Sequence, residues 1–163
     1  MRIHSRAQAS PQPRTYVGLW LLAAMLDQRA ERQRLTPLLN NGKSGWNDDE
    51  PAVVEFAFKL AVRRLFPESV DVREITAFVR DLRSRVQRTA PPDQLEAEAL
   101  IRDALGESVD ISGMRPTKIF TTRSAILAYA VLKLALPESD VRQLILESEK
   151  IAFEQGWKPP LAG

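Results

Sequence analysis

Apolar residues along this chain recur at steps of three and four, and no stretch alternates strictly for long enough to read as a strand. The pattern predicts six helices. The first opens at Thr15, a good capping residue, and runs to about Arg34. Its first half is apolar (Val17, Leu19, Trp20, Leu21, Leu22, Met25, Leu26), its second half is polar, and Gly18 weakens its start. The second helix, about Pro51–Phe66, is apolar almost all round; Glu55, Lys59 and Arg63 form its one polar strip. Such a helix belongs at the centre of a fold. Pro67 ends it.

A third helix, about Val72–Gln87, carries Val72, Ile75, Val79, Leu82 and Val86 along one face, opened by an Asp71/Glu74 capping pair. Asp93 and Glu96 repeat that signature before a fourth helix, which runs to Leu105 and is closed by Gly106. Residues 107–121 read as loop, with Thr117–Thr122 the only short β-like patch; Pro116 would confine a strand there to an edge. The fifth helix, about Thr122–Leu136, holds no charge between Arg123 and Lys133. Pro137 ends it, Asp140 with Gln143 caps a sixth, and Gly156 and Pro159 stop that one. The fold class is all-α: a helical bundle at about 15–158, behind a basic tail at 1–14 that contains Pro11 and Pro13.

One pattern repeats. Residues 65–75 (LFPESVDVREI) and 135–144 (ALPESDVRQL) agree at Pro-Glu-Ser and at Asp-Val-Arg, with one residue more in the first. Each follows a nearly all-apolar helix and opens an amphipathic one. The expectation is two pseudo-repeated three-helix units, about 15–89 and 90–158, whose all-apolar helices are central and equivalent.

Composition narrows the chemistry. The 163 residues include no cysteine, which excludes disulfides, thiolate metal sites and a cysteine nucleophile. The single histidine, His4, lies in the tail, so neither a histidine base nor a multi-histidine metal site is expected. Net charge is +2, but residues 1–89 are basic and residues 90–163 acidic, which suits a nucleic-acid face or a dipolar molecule that associates with its own copies. The apolar run at 17–26 is too short to span a bilayer and no small-x-small site follows it, so a cytoplasmic protein without membrane attachment is expected.

Residues 38–51 (LLNNGKSGWNDDEP) carry the most chemical-looking motif. Gly42-Lys43-Ser44 resembles the end of a phosphate loop, but Pro37 stands where the first glycine belongs, and no strand precedes it. With Gly45 as the turn glycine of a calcium loop, Pro51 falls at the position of the bidentate glutamate. The stretch reads better as a joint, with Asp48 or Asp49 capping the next helix, Pro51 in its first turn, and Trp46 folded onto the core. No catalytic residue, cofactor or metal site is expected: Glu55, Asp103 and Asp110 form no paired-acid pattern, and Ser124 and Lys133 lie on different turns.

Two binding surfaces remain. Val72, Ile75, Val79, Leu82 and Val86 on the third helix, and Val141, Leu144, Ile145, Ile151, Phe153 and Trp157 on and after the sixth, exceed what the two central helices need for a core. Val141, Leu144, Ile151 and Trp157 are therefore the expected interaction surface of a non-enzymatic, homo-oligomeric interaction or regulatory module that also meets other proteins. The rival is a nucleic-acid-binding regulator. Arg73, Arg80, Arg83, Arg85 and Arg88 line the third helix and its end, behind a four-residue connection that suits a helix-turn-helix. Against it, the second copy of that junction leads into an acidic helix bearing Glu147, Glu149 and Glu154.

Overall fold

A computed structural model describes residues 10–39, 49–86 and 90–163. The central part of the 38–51 motif, the expected lid Trp46, His4 and Arg88 lie outside the described residues. Among the described residues there are seven α-helices: α1 (Tyr16–Met25), α2 (Arg29–Leu39), α3 (Asp49–Leu65), α4 (Val72–Arg85), α5 (Gln94–Ala104), α6 (Pro116–Lys133) and α7 (Glu138–Glu154). Among the described residues no strand forms; one antiparallel bridge joins Thr15 to Leu161.

Three local expectations are corrected. The first helix is two, because Asp27 takes a left-handed backbone (φ 54°) and turns α2 back onto α1. The return is fixed by the Trp20 indole, which donates to the Thr36 hydroxyl at 3.1 Å, and by burial of Leu35 and Leu39. Residues 117–122 are helical, since α6 starts at Pro116, whose fixed φ suits the first helical position and whose missing N–H costs nothing there. Asp140 caps nothing: α7 begins at Glu138, Pro137 stands at its cap, and no side chain satisfies its first N–H groups. The caps at Thr15, Asp71 and Asp93 do form, and Gly106 and Gly156 end α5 and α7 with φ of 89°.

α3 occupies the middle, covered by α7, α6, α1 and α5, and Val53, Val54, Ala57, Phe58, Ala61 and Val62 are buried. α6, the other nearly all-apolar helix, lies against it. Phe66, Phe78 and Tyr129 tie α4 into this centre, with ring centroids 5.8 Å and 5.0 Å apart. The third helices of the two expected units are placed unequally. α7 lies along α3, whereas α4 lies on α5 and only touches α6. One local difference accompanies this: Ala135 leaves α6 with a left-handed backbone (φ 49°), while Leu65 at the same point of the first unit is helical.

Candidate functional site

The arginines of α4 divide by helix face. At about 100° of rotation per residue, Arg73 and Arg80 fall opposite the buried Ile75, Phe78, Val79 and Leu82. The Arg73 side chain is 92% exposed and 3.4 Å from Asp71; Arg80 is exposed and has no partner among the described residues. Arg83 leans toward α5, its Nε donating to the Pro92 carbonyl at 2.9 Å. Arg85 leans the other way, 3.7 Å from Asp81 and over the Tyr129 ring at 5.5 Å. Arg73, Arg80 and one flank, Arg83, thus share an outward face, and Arg85 does not join them.

The apolar residues expected to form a docking face lie mostly inside. Val141 and Leu144 are buried, Ile151 is half-buried and Trp157 is seated against the core. They fill the side of α3 that α7 covers, so the apolar surplus is taken up within the chain.

Outward apolar residues stand elsewhere, Leu95 singly on α5, Val72 on α4, and Leu132 at the end of an uncharged line on α6. Thr121, Ala125, Ala128 and Leu132 follow at steps of four, three and four, along one line on the side of the helix away from the core. Thr121 and Leu132 are exposed, Leu132 to 63%, and Ala125 and Ala128 are half-buried. Between Lys118 and Lys133 no charge lies on this face, because Arg123, the helix's only charge in that interval, turns inward. A groove of about 780 Å³ flanks the strip, lined by Arg83, Val86, Pro91, Pro92, Lys118 and Thr121 among others.

Three buried ionisable side chains were not expected from the sequence. Arg123 is 7% exposed, its guanidinium over the Phe58 ring at 5.7 Å, 3.8 Å from Glu55 and 4.0 Å from Asp103. Its Nε has no hydrogen-bond partner among the described residues; burial draws its pKa down while the two carboxylates act the other way. Glu50, 1% exposed in the first turn of α3, has one carboxylate oxygen without a partner, and burial pushes its pKa up to about 7. Glu149 was read as part of an acidic face, yet it is 2% exposed.

Glu149 is fully engaged. Its Oε2 accepts from the Thr15 N–H at 2.7 Å and the Thr15 hydroxyl at 2.6 Å, and its carboxylate also accepts from the Arg14 N–H at 3.0 Å. The Thr15 hydroxyl oxygen in turn accepts from the Gly18 N–H at 2.9 Å. A buried anion is tolerable here because it faces the N-terminal end of α1, where unpaired N–H groups and the helix dipole supply positive charge. On the other side of the same segment, Tyr16 N–H donates to the Pro160 carbonyl at 3.2 Å and Ala162 N–H to the Arg14 carbonyl at 2.9 Å. The two ends of the bundle are clasped together. Tyr129 is buried, and its hydroxyl has no hydrogen-bond partner among the described residues.

Among the described residues no group of three or more acidic or histidine side chains is arranged to hold a metal ion, and no helix is long and apolar enough to cross a membrane. Set against protein families, curated proteins and solved structures, the chain matches none.

Proposed function

We propose that this chain acts by binding rather than by chemistry, as a helical interaction module, and that its docking face is the outward strip of α6 rather than the α7 residues. The observation that carries this reading is the strip itself. It is an uncharged line from Thr121 to Leu132, with a leucine 63% exposed, on a helix that has turned its one intervening charge inward. A helix face that meets only water gains nothing from apolar side chains; one that meets another helix does. The small residues at its centre let a partner helix approach closely.

The two-unit organisation belongs to the same proposal. Seventy residues before Ala128 and Leu132 stand Phe58 and Val62, both buried, while Pro51 and Glu55, at the places of Thr121 and Ala125, are half-buried. In the first copy the C-terminal part of this face is covered inside the chain, and in the second it is left for a partner.

The test is light scattering on a sizing column between micromolar and millimolar concentration, with Ala128→Arg as the variant. An assembly that dissociates in the variant, with helicity unchanged by circular dichroism, is the expected result. An assembly that tolerates a charged guanidinium in the middle of the strip would remove α6 from consideration.

A second reading rests on a separate observation, the outward Arg73, Arg80 and Arg83 of α4, of which Arg80 has no partner among the described residues. It makes α4 a phosphate-contacting helix of a nucleic-acid-binding regulator. Affinity for mixed duplex DNA would then fall steeply with salt, and replacing the three arginines together would flatten the slope by roughly 3. No binding at low salt ends this reading.

A further inference from the structure

We propose that the occupant of the α6 face is α6 of a second copy of this chain, packed antiparallel about a two-fold axis that passes between Ala125 and Ala128. The inference rests on the preceding reading of that face as the docking surface, and it adds the partner, its direction and its register.

Shape argues for direction. About such an axis, Ala125 of each copy meets Ala128 of the other, and Thr121 meets Leu132, so the bulkiest exposed residue of the strip sits opposite a small one at both ends. A parallel pair would set Leu132 on Leu132 and Thr121 on Thr121, holding the helices apart at one end and leaving a void at the other. Two alanines at the centre let the axes come near the lower end of the usual 8–10 Å separation of packed helices.

Charge argues for the same direction. Arg115, just before the first turn of α6, is exposed and has no partner among the described residues, and Lys118, one turn on, is held 3.1 Å from Glu96. These cations stand at the positive end of the helix dipole. At the other end, past Lys133, come the α6 carbonyls and then Glu138 and Asp140 of α7, both exposed, Glu138 also paired with Arg142 at 2.9 Å. Asp81 is there as well, shared between Lys133 and Arg85 at 3.7 Å each. Antiparallel pairing brings the Arg115/Lys118 end of each copy to the Glu138/Asp140 end of the other. Parallel pairing sets Arg115 and Lys118 against their own copies, with two helix N-termini side by side. The first arrangement attracts and the second repels.

The absence of cysteine from the chain makes a clean experiment. Thr121→Cys and Leu132→Cys chains are prepared separately, mixed, and oxidised near the concentration at which the native chain associates. The expected product is a mixed disulfide between the two variants, while Leu132→Cys alone stays uncrosslinked, because the axis separates its two copies by roughly 16 Å along the helix, beyond the ~7 Å that a disulfide spans. Leu132→Cys crosslinking to itself as readily as to Thr121→Cys would overturn the antiparallel direction. A dimer that Ala128→Arg dissociates but that yields no mixed disulfide would overturn the register and leave the docking face standing. A chain monomeric up to millimolar concentration overturns the second copy as occupant, and a dimer indifferent to Ala128→Arg overturns the docking face itself.

Discussion

Gly18 shows how little one residue reveals outside its context. In the sequence it is a helix-weakening glycine near the start of an apolar run; in the fold it is the only residue that fits. A Cβ at that position would stand 2.6 Å from Glu149 Oε2 and 2.9 Å from the Thr15 hydroxyl, the two atoms that clasp the ends of the bundle. Gly18→Ala is therefore expected to destabilise by about 2 kcal/mol, although alanine is the better helix former by nearly 1 kcal/mol. Removing the anion by Glu149→Ala strands the Arg14 and Thr15 donors and costs about 3 kcal/mol, measured by denaturant unfolding. A stabilised Gly18→Ala variant would contradict the clasp. Glu149 was illegible because its partners lie 134 and 135 positions away, and nothing in its own neighbourhood marks it as buried. Glu50 carries the opposite sign. Its folded pKa of about 7 lies above the ordinary 4.5, so folding favours the neutral acid. Its share of stability is complete below pH 4.5 and is lost as the pH rises to about 7, where the ionised form must be held without a full set of partners. Glu50→Gln should then raise stability at pH 8, by on the order of 2 kcal/mol, and leave it unchanged near pH 4. Equal effects at both values would show that the carboxyl titrates normally.

At the scale of elements, capping chemistry was the most legible signal, and it was legible where the side chain reaches the backbone. Asp71 accepts from Arg73 N–H at 2.9 Å and Asp93 from Glu96 N–H at 3.0 Å, as their spacing predicted. Asp140 has the same neighbours in sequence, but Pro137 already sets the backbone from which α7 departs. Replacing Asp71 or Asp93 by alanine should cost about 1 kcal/mol each, and Asp140→Ala no more than a few tenths through the helix dipole. Three equal losses in urea unfolding would mean that Asp140 caps after all. The missed boundaries have a common cause. The break between α1 and α2 depends on a left-handed aspartate, a backbone state that aspartate tolerates without announcing. The early start of α6 turns on Pro116, which read as a strand breaker and acts as a helix opener. Both are choices between local conformations of nearly equal energy, settled by what the segment packs against.

For the whole molecule, the central position of α3 and its contact with α6 could be read from apolarity alone, because a helix without a polar face has only the interior to occupy. The supply of core could not be read that way. Val141 and Leu144 looked like surplus, but α3 is surrounded on so many sides that it absorbs them, and the large apolar residues left uncovered stand on other helices, Leu95 on α5, Val72 on α4 and Leu132 on α6 among them. Counting hydrophobic residues says how much surface must be buried; the placement of α4 on α5 rather than along α6 decides which part is not. If a second copy covers the α6 strip, association and folding share one equilibrium, and stability must depend on protein concentration. A hundredfold increase contributes about 2.7 kcal per mole of dimer, or half of that per chain. For a chain of this size that raises the thermal midpoint by roughly 3–5 °C. Leu132→Arg places a charge on the strip without touching the core, so its midpoint should be the same at both concentrations and lie below that of the associated native chain. A native midpoint that does not move over the same range would mean that the strip faces water, and that the bundle is stable without a partner.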